Sequence, residues 1–219
     1  MKQTVPAQHF FPRCLMFIVS IFFMTFAIAL SCKADLGTSP ISSVPWVLSM
    51  ILPLSVGTLT IILNIILIAL QPLLLRAVYW RELLGQIVTT LAFGYGIDFS
   101  MQLLSWFIPA NLTEKILACL LSIVILGFGI FLEVRAKIFL IAGEGLVSVL
   151  TFVLHKNFSF IKNCFDITLV TISIIISLLD FGTLKGIGAG TVAAAILVGR
   201  TVHFCEKYIT FFNRWKAPN

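Results

Sequence analysis

The chain has 219 residues, 59% of them apolar and 11% charged, with 15 Lys and Arg against 9 Asp and Glu. This composition excludes a soluble globule, and almost charge-free stretches such as 14–31, 58–75, 116–132 and 164–179 are of the length that crosses a bilayer. The net charge of +6 does not indicate nucleic acid, because the basic residues stand at segment ends and never form a block interleaved with aromatics.

A hydrocarbon core offers no water to backbone groups, and the ten-residue alternation of a barrel is missing, so the expected fold class is all-α. Eight segments follow in chain order, 12–32, 40–54, 57–75, 83–107, 115–134, 140–155, 159–180 and 186–208, within a single integral membrane domain over 1–219. The first resembles a secretory signal, since Lys2 and Arg13 precede it and Ala27-Ile28-Ala29 imitates a cleavage site. Its length, and a counterpart deep in the chain, predict an uncleaved first helix. The second is short and carries Pro40, Pro45 and Pro53; the sixth is short and opens with Gly143-Glu144-Gly145. Helices interrupted in this way are tolerated in a bilayer where they line a cavity or are buried in protein. Six full spans and two broken segments are therefore expected. The five cysteines stand singly and read as small apolar residues.

The chain also repeats itself. Leu15 to Leu70, moved forward by 102 positions, falls on Leu117 to Ile172 without a gap and with twelve identities, among them Ser20/Ser122, Phe26/Phe128, Ala34/Ala136 and Leu48/Leu150. Lys33 falls on Arg135 and Asn64 on Asp166; with three further positions, Gly85 meets Gly190, Gly94 meets Gly199 and Asp98 meets His203. The repeats are taken as 12–107 and 115–208. Duplicated membrane halves are the usual construction of transporter folds.

Positive charge selects the topology. Eight crossings place nine Lys and Arg inside and six outside, a weak bias. If 40–54 and 140–155 instead return to the side they left, twelve lie inside and Lys33, Lys115 and Lys185 outside. The positive-inside rule prefers this arrangement, with six spans and both termini cytoplasmic. An odd number of spans per half makes the repeats inverted, and the two broken segments then approach from opposite faces. Eight ordinary spans in a parallel duplication, with glycines serving close packing, are the alternative.

Ionisable groups at membrane depth are costly and so are candidates for function. Asp98 follows Gly94-Tyr95-Gly96, and its bland role is an interfacial carboxylate. His203 titrates near neutrality but stands near Lys207 at a segment end. Glu144, between two glycines at the start of a broken helix, suits a cation, a proton or a gate; equally, it is a carboxylate favoured by the helix dipole. Asp166 stands one turn after Lys162, a spacing for a self-neutralised pair. Asn64 suits substrate contact or a hydrogen bond to a neighbouring helix. Thr38, Ser39, Ser42 and Ser43 supply hydroxyls at the first broken helix, where they also serve as caps. No Gly-x-Ser-x-Gly, His-Glu-x-x-His or phosphate-binding loop is present, and His9, His155 and His203 share no metal spacing. No catalytic residue, metal or cofactor is expected.

The stretch Ala34-Asp35-Leu36-Gly37-Thr38-Ser39-Pro40, then Gly57-Thr58, Phe93-Gly94-Tyr95-Gly96-Ile97-Asp98 and Gly188-Ala189-Gly190-Thr191, resembles the YczE/YitT-like uncharacterised bacterial integral membrane proteins. The resemblance spans almost the whole chain and implies a bacterial multi-pass membrane protein, without supplying a substrate or catalytic residues. Relatives tend to open the seventh segment with Gly-Thr, where this chain has Ser159-Phe160. The expected function is a small secondary transporter or permease of the bacterial cytoplasmic membrane, moving a small molecule or ion between the halves. A non-transporting scaffold or accessory subunit for a partner enzyme or exporter is the alternative. The expected partners are the lipid bilayer and the solute, with no nucleic acid.

Overall fold

A computed structural model describes residues 10–209. Among them the chain forms eight helices and no strand: α1 (Phe10–Ala34), α2 (Pro40–Ser49), α3 (Val56–Leu75), α4 (Trp80–Leu103), α5 (Leu112–Ala136), α6 (Ala142–Leu154), α7 (Phe158–Phe181) and α8 (Ala189–Tyr208). Lys2, His9, Arg214 and Lys216, which entered the charge and histidine arguments, lie outside the described residues. Helices α1, α3, α5 and α7 are long and apolar enough to cross a membrane. α4 and α8 have comparable length but more polar sequences, with Arg81, Glu82, Gln86 and Asp98 along α4.

Local chemistry explains the helix ends. Ser55 caps α3 by accepting from the Thr58 N–H at 3.0 Å. Pro40 opens α2, where its missing N–H is harmless, while Pro45 removes a hydrogen bond inside it. α2 stops at Ser49, earlier than the segment read from hydropathy, and its last carbonyls are met by the N–H groups of Met50, Ile51 and Leu52 in a turn before Pro53. α1 and α5 are each followed by a residue in the left-handed conformation, Asp35 (φ 54°) and Lys137 (φ 45°). These two positions correspond in the 102-residue register.

The antiparallel pair α1 and α5 forms the centre. Arg13 in the first turn of α1 donates to the carbonyls of Ala136, the last residue of α5, and of Lys137 just after it. At the opposite end Lys115 near the start of α5 reaches Asp35 just after α1, at 3.4 Å. α4 packs on α1 and α8 on α5; α3 packs on α6 and α2 on α7; α2 also touches α3, and α6 touches α7. α3 lies against α4 as well, whereas α7 and α8 are not a packed pair of this kind. Ala29, Leu30 and Ala34 meet Leu104, Ala118 and Cys119 in the core at the Asp35 end, while Met16, Phe17, Phe131, Leu132 and Ala136 fill the Arg13 end.

Glycines set the closest approaches. A Cβ on Gly57 would strike the Gly94 carbonyl oxygen and the Asp98 carboxyl, so α3 and α4 cross with backbone nearly in contact. The start of α8 comes equally near the loop after α1, where the Gly190 N–H donates to the Leu36 carbonyl at 2.8 Å. Gly37 in that loop has φ 106°, a conformation that suits glycine alone.

Candidate functional site

The two short helices begin beside each other. A Cβ on Gly143, in the first turn of α6, would overlap Ile41 in the first turn of α2. A five-residue limb precedes each helix, 35–39 before α2 and 137–141 before α6. Ser39 and Ile141, which precede the first helical residues, are extended (ψ 152° and 151°), and no side chain caps either helix. At α2 the first residue, Pro40, has no N–H and the Ser42 N–H donates to the Ser39 carbonyl at 3.0 Å, while at α6 the Gly145 N–H donates to the Ile141 carbonyl at 2.8 Å.

Around α2 the surroundings are hydroxylic. Ser31 and Thr38 are 2.8 Å apart, Ser39 donates to Ser42 at 3.1 Å, and Ser43 lies 2.7 Å from Ser173 of α7. Ser31, Thr38 and Ser39 line a small cavity with Cys119, Ser122 and Gly190, with room for about one water molecule. The Thr191 hydroxyl beside it is buried without a hydrogen bond among the described residues. Such a site offers neutral donors and acceptors and no charge.

Around α6 the surroundings are acidic. Glu133, in the last turn of α5, is 3% exposed and directs its carboxylate at the Ile141 N–H, yet neither oxygen completes a hydrogen bond among the described residues. Glu144 in the first turn of α6 is partly exposed and repels Glu133 electrostatically. It is in turn attracted by Lys162 and repelled by Asp166, which form an ion pair of their own at 2.8 Å. The next residue, Gly145, lies against the amides of Gln71 and Gln86. These two side chains exchange hydrogen bonds at 2.7 and 3.1 Å, and Gln71 approaches the Ala142 carbonyl at 3.4 Å.

The model of the family of unknown function DUF6198 matches residues 11–207, nearly the whole chain. The chain belongs to this family. It is also 24% identical over 200 residues to the uncharacterized membrane protein YczE of Bacillus subtilis, covering 90% of this chain and 86% of that protein. No solved structure matches it significantly. The resemblance drawn from the Gly37, Gly57, Gly94 and Gly190 motifs thus holds, and the apolar helices of this DUF6198 chain agree with a membrane location.

Of the residues singled out by sequence, the DUF6198 fold brings Thr38, Ser39 and Ser42 together at the start of α2. It places Glu144 and Asp166 within electrostatic reach of each other at the start of α6. Asn64 is 2% exposed on the helix that packs against α6. Asp98 lies apart from both clusters: it accepts from the Gly57 N–H at 2.8 Å and the Ser55 hydroxyl at 2.6 Å, closing the start of α3. His203 is exposed on α8. Sequence reasoning passed over Glu133, Ser31 and the Gln71–Gln86 pair. The register contained the signal for the first two, since Ser31 and Glu133 occupy the same place in the two copies.

Proposed function

We propose that the chain is a small secondary transporter or permease of the bacterial cytoplasmic membrane, not an enzyme, with six spans and two inverted halves that enclose a site between α2 and α6. The observation that carries it is the meeting of two uncapped helix starts, at Ile41 and Gly143, in the interior of a duplicated membrane chain. Discontinuous helices whose N-termini point at a shared interior are the usual binding architecture of inverted-repeat transporters.

Support for inversion comes from the antiparallel course of α1 and α5, which occupy corresponding places in the register. Two further pairings agree with an exchange of halves, because α1 on α4 corresponds to α5 on α8 and α3 on α6 to α7 on α2, while α3 on α4 has no packed counterpart in α7 and α8. Support for a re-entrant α2 comes from the end to which the chain returns. Asp35 precedes α2 at one end of the bundle, and α3 starts beside Asp98, in the last turns of α4. α4 itself starts at the other end, with Gly85 against Phe139, and finishes near Ala34 and Cys119. Ten residues of α2 extend about 15 Å, half of a ~30 Å hydrocarbon core.

Single cysteines at Asp35 and Lys137 in a background lacking Cys14, Cys32, Cys119, Cys164 and Cys205 test the orientation. An impermeant thiol reagent applied to intact cells should label position 35 and spare 137. Labelling of both, or of neither until the cells are opened, would sink the inverted arrangement.

One observation favours a second function. The cavity beside Ser31 and Thr38 holds about one water molecule, as suits an accessory subunit that transports nothing. Purification in mild detergent separates the two: a stoichiometric protein partner supports the accessory role, and a monodisperse particle whose melting rises with a solute supports transport.

A further inference from the structure

We propose that the hydroxyl-lined cavity at the start of α2 binds one dehydrated, water-sized monovalent cation, an alkali ion or ammonium. The site stands on its own geometry; its role as coupling ion or cargo rests on the transporter function. The lining draws on both copies, with Ser31 of α1, Thr38 and Ser39 before α2, Cys119 and Ser122 of α5 and Gly190 of α8. The directions of the hydrogen bonds carry the inference. Ser31 donates to the Ile28 carbonyl at 2.8 Å, so in its 2.8 Å contact with Thr38 it accepts and Thr38 donates. Ser39 donates to Ser42 at 3.1 Å, and Ser122 to the Cys119 carbonyl at 2.7 Å. Each hydroxyl has a single proton and all of them are spent within the protein, so these oxygens offer the cavity lone pairs. The Cys119 thiol is only a weak donor.

The backbone agrees. Pro40 has no N–H, the Ser42 N–H is taken by the Ser39 carbonyl, and at the start of α8 the Gly190 and Thr191 N–H groups donate to the carbonyls of Leu36 and Gly188. A second observation is the Thr191 hydroxyl, 2% exposed and without a partner among the described residues. A Cβ on Gly37 would overlap it, and Gly37 lines the cavity, so this orphaned oxygen stands at the wall. Leaving such a group buried and unpaired is costly. A water molecule in the cavity has two protons and meets two acceptors, whereas a cation is attracted to every lone pair around it and exchanges its hydration shell for them. No charged side chain lines the cavity among the described residues, and Asp35 just outside is paired with Lys115. The starts of α2 and α8 disfavour a cation, while the C-terminal end of α1, which carries Ser31, favours one. The balance gives weak, exchangeable binding.

Melting curves of the purified full-length chain in lipid nanodiscs, taken in sodium, potassium, ammonium and choline chloride at constant ionic strength, test the site without any solute. At least one of the three small cations should raise the melting temperature saturably above choline, which is too large to enter, and the one that does identifies the ion. Ser31→Ala and Ser122→Ala should each raise the half-saturating concentration about tenfold or more, the effect of losing one oxygen partner of a charge. Ser20→Ala is the control. Ser20 matches Ser122 in the register, is buried and donates to the Phe17 carbonyl in the same way, but does not line the cavity, so its loss should leave the midpoint unchanged. Equal melting in all four salts, the result of a cavity that holds an ordered water only, would overturn the site. So would a midpoint moved no further by Ser122→Ala than by Ser20→Ala. If Ser31→Ala does not fold, the wild-type titration and Ser122→Ala still decide. Saturable cation binding in a chain that moves nothing across a membrane would reject the transporter function and leave the site standing; solute movement with equal melting in all four salts would do the reverse.

Discussion

Arg13, 1% exposed, donates from Nε and Nη2 to the Ala136 carbonyl at 2.9 and 2.7 Å, and so fastens the first turn of α1 to the end of α5. A guanidinium suits this position because its fork bonds the carbonyl twice, and the C-terminal end of a helix attracts positive charge. Replacement of Arg13 by Ala is expected to destabilise the fold by about 1.5–3 kcal/mol, the range for hydrogen bonds to a charged group. Arg13→Lys should recover part of this loss, because an ammonium keeps the charge without the fork. Thermal unfolding in detergent measures both, and a wild-type melting curve for Arg13→Ala would contradict the anchoring role.

The crossing of α3 and α4 makes a prediction from three glycines. Gly57→Ala and Gly94→Ala each bring a methyl into the facing backbone or into Ile61, and both should lower the melting temperature markedly or abolish expression. Gly199, which matches Gly94 in the register, has nothing within 4 Å of a Cβ. Its change to Ala should be neutral or stabilise α8 by up to about 1 kcal/mol through helix propensity. A thermal-shift comparison of the three variants provides the check.

Asp98 is expected to be a structural cap. Asp98→Ala removes the acceptor for the Gly57 N–H and the Ser55 hydroxyl and should cost about 0.5–2 kcal/mol, as the loss of a helix cap does. Asp98→Asn, which keeps one carbonyl oxygen, should cost less. Full stability in Asp98→Ala together with lost solute movement would instead place the carboxylate in the transport path.

The buried amides Gln71 and Gln86 are a matched pair, so their effects should not add. Gln71→Leu leaves Gln86 with unmet donors and acceptor and should cost about 1–3 kcal/mol. The double change to leucine should cost clearly less than the sum of the two single changes. A double-mutant cycle on unfolding midpoints supplies the coupling energy, and strict additivity would show that the two amides act independently.

Much of the architecture was legible beforehand because membrane burial leaves a strong signature. Apolar runs marked α1, α3, α5 and α7, and prolines or glycines marked the short α2 and α6. The motifs that suggested the family also prove to be pairs in space. The Gly37 stretch meets Gly190, and Gly57 meets Gly94 and Asp98. No spacing along the chain announces such pairing, since a glycine records that something approaches closely but not what approaches.

The candidate site was only half legible. Thr38, Ser39 and Ser42 stood out because hydroxyls near Pro40 are conspicuous, and Glu144 because two glycines flank it. Glu133 escaped notice, sitting near Arg135 and Lys137 at the end of an apolar run, where carboxylates ordinarily belong to the interface. Only the folded limb 137–141, which brings Ile141 back over the last turn of α5, turns that interfacial carboxylate into a buried one.

By itself, the sequence determined the solvent of this protein and the element type, because hydrophobicity and the need to satisfy backbone groups act locally and are summed over each segment. It also carried a 102-residue register, through residues such as Lys33 and Arg135. The tertiary structure decided which side chains lose their water and which keep a partner. Ser31 and Glu133 share a position in the register, yet one hydroxyl finds Thr38 while the carboxylate finds only an uncapped helix start. Burial and hydrogen bonding depend on groups brought together from different helices, and that meeting is set by packing.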